Sequence, residues 1–479
     1  MIFVAQKKRP WLFFVFSVSL FLVCFPSLTA AQGNGLQLTA LDEYVRAVDS
    51  NYKWSVLSTV PGEGYQTFIL EMTSQQWLTE DEVNLPIWEH YMVSVVPDEL
   101  LSDIGFLFIT GGSKSRSAPT SAEASDIKRA METGTVVTTL YMVPNQPLEF
   151  VDDPGNGRTE DAIIAYTWDK YLRTGDSKWP LRLPMTKAAV RAMDTVTALL
   201  ASDAGGDREV NQFVVAGGSK RGWTTWTTAI VDERVVAIMP IVIDLLNLSE
   251  SFKHHFSVYG AYSLAVIDYV TSRNVNWIGT PQWDSLMDLV EPYEYRDRLE
   301  LPKFLLNSTG DEFFLPDSSQ FYWHELVGEK HVRYVPNSNH SMGGTDVIDS
   351  IDAWYHAIVH NVKMPRYSWH LDDDGLITVL SLDEPTEVLL WQAHNPESRN
   401  FTQATIGRAY SSSPLEETEP GVYQAKLDPP DEGYTAYYVE MHFPSGIEVP
   451  FKFSTGVKIV PDTTEYEWRF TPDSSREAR

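Results

Sequence analysis

Apolar and polar positions alternate along this chain in three successive styles. After a short helix expected over residues 41–49, segments 52–60, 65–72 and 88–96 alternate β-branched or aromatic residues with polar ones. Each is bounded by Gly, Asn or Pro, the signature of half-buried strands. Residues 105–110 (GFLFIT) are apolar throughout, as a strand covered on both faces would be. From there strands and helices alternate. Helices are predicted over 122–133, 160–172, 185–201, 220–231 and 346–359, with more helix across 250–300. Strands are predicted over 136–143, from Phe213 to the glycines at 217–218, and over 235–243, 303–307 and 331–335. Thr159 is the expected cap of the 160–172 helix, with Glu160 and Asp161 favourable in its first turn. This alternation predicts a doubly wound α/β fold with a mainly parallel sheet. Past Pro365 the helical spacing fades and turn signals recur at 372–375, 396–397, 429–433 and 444–446. A small all-β, sandwich-like module is expected over 365–461, then a polar tail over 462–479.

The N-terminus changes the picture of where the chain works. Lys7, Lys8 and Arg9 precede an almost wholly apolar run over 11–25, which Pro26 breaks ahead of Thr29-Ala30-Ala31. This is the pattern of a signal peptide over 1–31, so a secreted or periplasmic protein is expected. The run is short for a membrane span, which needs about 20 residues, so no stable span is expected after cleavage; an uncleaved anchor is the alternative. Cys24 is the only cysteine, and cleavage removes it. Disulfides, thiolate catalysis and cysteine metal sites are thereby excluded. Four N-glycosylation sequons fall at Asn247, Asn307, Asn339 and Asn400, of which Asn307 lies on a predicted buried strand.

The net charge is −28, and losing the three basic residues of the leader takes it to −31. Such a chain repels nucleic acid and anionic lipid; the charge suits solubility outside the cell and would favour a cationic substrate. No metal or cofactor is expected. Adjacent His254 and His255 cannot both face one site on a helix, and no H-E-x-x-H occurs. The acidic run 371–375 lacks the spacing of a calcium loop and reads as a turn.

Candidate chemistry centres on residues 213–223, FVVAGGSKRGW. A buried strand runs into two glycines and Ser219, and a helix follows. This is the strand–turn–helix of a nucleophile elbow, which lifts a serine Oγ clear of its backbone. Serine is a poor nucleophile alone and needs a base held by an acid. Asp311 and His340 each lie on a loop past a predicted strand, giving the chain order Ser, Asp, His of α/β-hydrolases. Asp244 is the alternative acid, and the side chain of Glu312 is expected to project elsewhere. The oxyanion hole is expected from the N–H of Lys220 and from Gly111-Gly112. Arg221, Phe313 and Phe314 are candidate substrate contacts. One departure stands out: G-x-S-x-G would put glycine at 221, where Arg221 stands, and Gly222 follows it.

Several strings carry a family likeness: Glu160-Asp161 with 165–168 (AYTW), 183–185 (LPM), 217–226 (GGSKRGWTTW), 310–317 (GDEFFLPD), and 335–337 with His340. Over about residues 40–455 the chain resembles the PhoPQ-activated pathogenicity-related family. The resemblance implies an exported α/β-hydrolase-like protein tied in bacteria to envelope stress and resistance to cationic peptides, with no settled substrate. It matches Ser219, Asp311 and His340 to the family motifs. Residues 32–364 are then an α/β-hydrolase-like domain with a helical insertion near 250–300. The expected function is a serine hydrolase acting on a peptide, amide or ester. A carbohydrate-type esterase is one alternative, since some of these carry a cation after the nucleophile. A non-catalytic secreted binding factor is the other.

Overall fold

The computed structural model describes residues 38–469; the predicted leader and the last ten residues of the tail lie outside the described residues. A nine-stranded sheet forms the frame. Its N-terminal part is antiparallel: β1 (Lys53–Gly62), β2 (Tyr65–Gln76) and β3 (Ile87–Pro97) pair in sequence order. Next come β4 (Ile104–Ile109), α2 (Ala124–Thr133) and β5 (Val137–Leu140), where α1 is the opening helix Ala40–Arg46. β5 sits between β3 and β4, so the chain steps back across the sheet here. A small hairpin, β6 (Leu148–Phe150) and β7 (Asp153–Arg158), leads to helices α3 (Asp161–Thr174) and α4 (Arg182–Leu200). Then β8 (Gln212–Gly218), α5 (Lys220–Val231) and β9 (Val235–Ile241) follow. Helices α6 (Leu248–Tyr259), α7 (Ile267–Thr271) and α8 (Pro281–Val290) fill the insertion before β10 (Lys303–Ser308), β11 (Lys330–Val335) and α9 (Val347–His360). From β5 through β4 and β8 to β11, every pairing is parallel.

Period-2 alternation explains how the sheet is covered on both faces. On β8, Phe213 and Val215 join one apolar core, while Val214 and Ala216 join another. Leu107 of β4 and Leu305 of β10 belong to the first core, Phe106 and Phe304 to the second. α5 is buried nearly all round, although it carries four threonines. Thr224, Thr225 and Thr228 turn their hydroxyls onto the carbonyls four residues back, at 3.1, 2.9 and 2.7 Å. Helical threonines can thus be buried without unpaired polar atoms. This topology, with a serine at the β8–α5 turn, is that of the α/β-hydrolase fold.

Past residue 365 the chain is all-β apart from the one-turn helix α10 (Gln403–Ile406). β12 (Tyr367–Leu371), β13 (Ile377–Ser381), β16 (Glu417–Glu419) and β17 (Val422–Ala425) form one antiparallel sheet. β14 (Glu387–Asn395), β15 (Ser411–Pro414), β18 (Tyr434–Phe443), β19 (Phe451–Ser454) and β20 (Lys458–Val460) form the other. These strands share a core with the main sheet: Tyr437, Val439 and Phe453 pack in the same cluster as Phe304 and Trp354. They also cover the exposed edge of β11, where Tyr334 N donates to Ser454 Oγ at 3.0 Å. Buried Arg333 of β11 pairs with Glu440 at 3.3 Å and Asp346 at 2.8 Å. The 371–375 run is the turn of the β12–β13 hairpin, closed by Gly375 N on Asp372 O at 3.0 Å.

Candidate active site

Ser219 stands between the last residue of β8 and the first of α5, at φ 56° and ψ −122°. A positive φ is strained for a residue with a Cβ, and the turn is locked on both sides. Ser219 N donates to Ile241 O at 2.7 Å, and Trp223 N donates to Ser219 O at 3.0 Å. Space explains the glycines. A Cβ on Gly217 would lie 2.7 Å from Arg221 O. A Cβ on Gly222 would lie 2.8 Å from Ile243 Cγ2 and 3.0 Å from the carbonyls of Gly217 and Ile241. The closest approach of helix to strand therefore falls at Gly222, one position later than in G-x-S-x-G.

Arg221 corrects an expectation. It is not free for a substrate, because its guanidinium is fully engaged inside the protein. Nη1 and Nη2 bind the two oxygens of Glu160, each at 2.7 Å, and Nε donates to Val143 O at 2.6 Å. Burial alone would raise the Glu160 carboxyl, but this fork holds it down at about 2. Glu160 itself, not Thr159, is the residue at the head of α3, at φ 53° and ψ −126° and without a side-chain cap. Its carboxylate serves Arg221 in place of its own helix.

The loops after β10 and β11 bring Asp311 and His340 together. Their strands pair in parallel, with Ser308 beside Val335, so both loops leave the same end of the sheet. His340 Nδ1 lies 2.8 and 3.0 Å from the Asp311 oxygens. A carboxylate only accepts, so Nδ1 carries the proton and Nε2 is left as the basic nitrogen. Nε2 is buried and has no hydrogen-bond partner among the described residues. Phe313 lies against the imidazole at 4.3 Å between centroids, with Phe314 at 5.8 Å. Burial pushes the Asp311 carboxyl above its ordinary value, opposed by His340 and by Phe313 N at 2.8 Å. Glu312 points away from Nδ1, and its Oε2 accepts His340 N at 3.1 Å. The alternative acid, Asp244, accepts from Tyr334 at 2.6 Å and from Tyr322, and makes no contact with His340. Burial pushes its carboxyl up to about 7.

The expected oxyanion groups lie around the elbow. Lys220 is the first residue of α5, so its N–H has no intrahelical acceptor. Gly111 lies so close to Arg221 that a Cβ would sit 2.4 Å from Nη2, and Gly112 has φ +134°. The Lys220 ammonium bends away onto Asp161 at 2.6 Å and lies 5.6 Å from the Phe313 ring centroid. A small cavity of about 30 Å³ adjoins Ser219, lined by Lys220, Phe313 and Phe314 among others. Phe313 also lines an open cleft of about 800 Å³, with Tyr259, Tyr262, Leu264, Glu312 and Thr402.

Some residues around the site carried no sequence signal. Gln403 N donates to Gly310 O at 2.9 Å and its Nε2 to Asn337 O at 2.6 Å, so α10 grips both the acid loop and the histidine loop. Glycine is needed at 310, since a Cβ there would lie 2.7 Å from Ser338 O. Arg399 and His254 share Asp317, at 2.9 and 3.0 Å, which joins the C-terminal sheets, the acid loop and α6. His255 is spent separately, accepting Ser263 N at 3.0 Å. Asn307 is buried on β10, away from any glycosylation enzyme. Among the described residues no helix is long and apolar enough to cross a membrane.

Comparison with known proteins agrees with the resemblance read from the sequence. Residues 41–402 match the family model described as PhoPQ-activated pathogenicity-related protein. The chain belongs to this family. It is 36% identical over 457 residues to autocrine proliferation repressor protein A of Dictyostelium discoideum, covering 89% of this chain and 92% of that protein. Similar solved structures include acetyl xylan esterase 1 from Thermoanaerobacterium sp. JW/SL YS485, at 12% identity and TM-score 0.47, over 67% of this chain and 93% of that one. An acetyl xylan esterase from Paenibacillus sp. R4 matches at 13% identity and TM-score 0.46, over 66% and 92%.

Proposed function

We propose that this chain is an exported serine hydrolase in which Ser219, His340 and Asp311 cleave a peptide, amide or ester. The observation that carries the reading is His340. Its Nδ1 is fixed by Asp311 while its Nε2 is bare and buried, with Ser219 on a strained elbow nearby in the same aromatic surround. A bare basic nitrogen is what a general base requires, and apo hydrogen bonds of this kind often close only when substrate arrives. Nε2 takes the Ser219 proton as Oγ attacks the carbonyl carbon, and later returns it to the leaving group. The N–H groups of Lys220, Gly111 and Gly112 hold the oxyanion. Work outside the cytoplasm follows from the leader over residues 1–31.

A second reading is favoured by the Dictyostelium relative, whose name is that of an autocrine repressor. In that reading the fold is kept for signalling by contact. Fluorophosphonate labelling of the purified protein beside Ser219→Ala separates the two. The hydrolase reading expects labelling of the unsubstituted chain alone. A folded chain that resists the probe as fully as the variant would defeat it and favour the repressor-like role.

A further inference from the structure

The cavity beside Ser219 is lined by a cation, Arg182, that makes no ion pair at contact distance among the described residues. Arg182, the first residue of α4, is 2% exposed and lines this cavity together with Ser219. Of its donors, Nη1 reaches Lys220 O at 3.0 Å, and buried Nε has no partner among the described residues. Its guanidinium lies over Trp223, 4.2 Å from the ring centroid. Burial lowers it to about 10, so it stays charged at neutral pH.

Asp161, the one carboxylate lining the cavity, is engaged elsewhere: Lys220 Nζ donates to Oδ2 at 2.6 Å and Tyr269 OH to Oδ1 at 2.9 Å. Glu291 is fully buried; its Oε2 accepts Leu248 N at 3.1 Å, its Oε1 has no partner among the described residues, and burial raises its carboxyl to about 8. The cavity wall bears two cations, Arg182 and Lys220, and one anion, Asp161, which Lys220 already engages. An unpaired buried charge is costly and persists where a ligand completes it. The cavity volume, about 30 Å³, is roughly that of two ordered waters, so the completing group is small.

Resting on the hydrolase reading above, we propose that Arg182 is a substrate-binding residue selecting a short acyl group that ends in a carboxylate, such as a malonyl-type half-ester. The acyl chain enters this cavity, and the alcohol leaves through the open cleft that Phe313 also lines. Ser219 Oγ forms the new ester bond to the acyl carbon as the alcohol oxygen departs with the proton carried by His340. Water then breaks that ester, releasing the diacid and restoring the serine hydroxyl. The guanidinium and carboxylate make charge-assisted hydrogen bonds throughout and exchange no proton.

The test compares phenyl hydrogen malonate, phenyl acetate and phenyl butyrate by phenol release. Malonate and uncharged malonamide are titrated calorimetrically into Ser219→Ala. The expected result is a malonate-to-acetate ratio in kcat/KM of about 10–100, the range of a charge-assisted hydrogen bond, falling towards one in Arg182→Met. Malonate, but not malonamide, should bind Ser219→Ala, and Arg182→Met in that background should abolish binding. Arg182→Lys keeps the charge and should retain part of the ratio; it serves if the methionine variant does not fold. Hydrolysis of the neutral esters with no acid preference and no malonate binding would overturn the proposal and leave the hydrolase reading standing. Arg182-dependent malonate binding without turnover of any ester would support the acid site and overturn the hydrolase reading. Absence of both would overturn both.

Discussion

Arg221 stands two residues past Ser219 and Arg182 lines the cavity beside it, and both are more than nine-tenths buried. On the Arg221 side every nitrogen is matched: Glu160 takes two and Val143 O the third. That guanidinium holds the β5–α3 connection against the elbow, where Gly111 makes room for it. On the Arg182 side Nη1 makes one hydrogen bond, Nε has no partner among the described residues, and the side chain lines a cavity. The same side chain at similar burial is a structural pin in one region and an unfilled binding group in the other. Burial of a charge therefore says little about its role until its partners are counted.

The contrast can be broken by substitution. Arg221→Met leaves Glu160 without its partner and should cost about 3 kcal/mol of stability, the low end for a broken buried pair, because Glu160 keeps Lys220 at 3.6 Å and some contact with water. Chemical denaturation at neutral pH reads this directly; a loss below about 0.5 kcal/mol would place Arg221 among ordinary surface pairs. Arg182→Met removes a buried cation at the loss of one hydrogen bond, to Lys220 O. It should not lower stability by more than about 1 kcal/mol, measured in the same denaturation. A large loss there would show that Arg182 too is a structural pin.

A further effect is one of pH. The Glu160 carboxyl is held at about 2, below its unfolded value, so the folded state binds fewer protons between the two. Its contribution is present above about pH 4.5 and is lost as pH falls through about 2. Asp244 has the opposite sign. It is raised to about 7, so its contribution is present at low pH and fades as pH rises from about 4 through 7. Glu160→Gln should flatten the acid limb of the stability curve and leave the limb between pH 4 and 7 in place. Melting temperatures taken from pH 2 to 8 check this, and an acid limb unchanged in Glu160→Gln would remove the Arg221 fork from the account.

Much of this arrangement is legible in the sequence, and the part that is not has a common cause. The helix expected over 220–231 is α5, because a strand, two glycines and a threonine-rich amphipathic run mark it locally. Asp311 and His340 are legible because each follows a short apolar strand, and parallel neighbours end on the same side. The Arg221–Glu160 pair spans 61 residues and leaves no periodic trace in either segment. Glu160 in fact misleads, since acidic residues at a helix start read as dipole partners when this one reaches across to another helix. The hold of Gln403 on Gly310 and Asn337 is equally silent, because it joins a polar loop to backbone carbonyls. The motif departure at 221 resolves only in space, where Gly222 is seen to lie against Ile241 and Ile243.

The central claim is that Ser219 forms a covalent acyl-enzyme with His340 as base. Rapid mixing with phenyl acetate, acid quenching and peptide mass analysis tests it most directly. The account predicts an acetyl group on the peptide carrying Ser219, formed with a burst of phenol and at least about 10³-fold slower in Asp311→Asn. Phenol release with no adduct at Ser219, or an equal rate in Ser219→Ala, would contradict it.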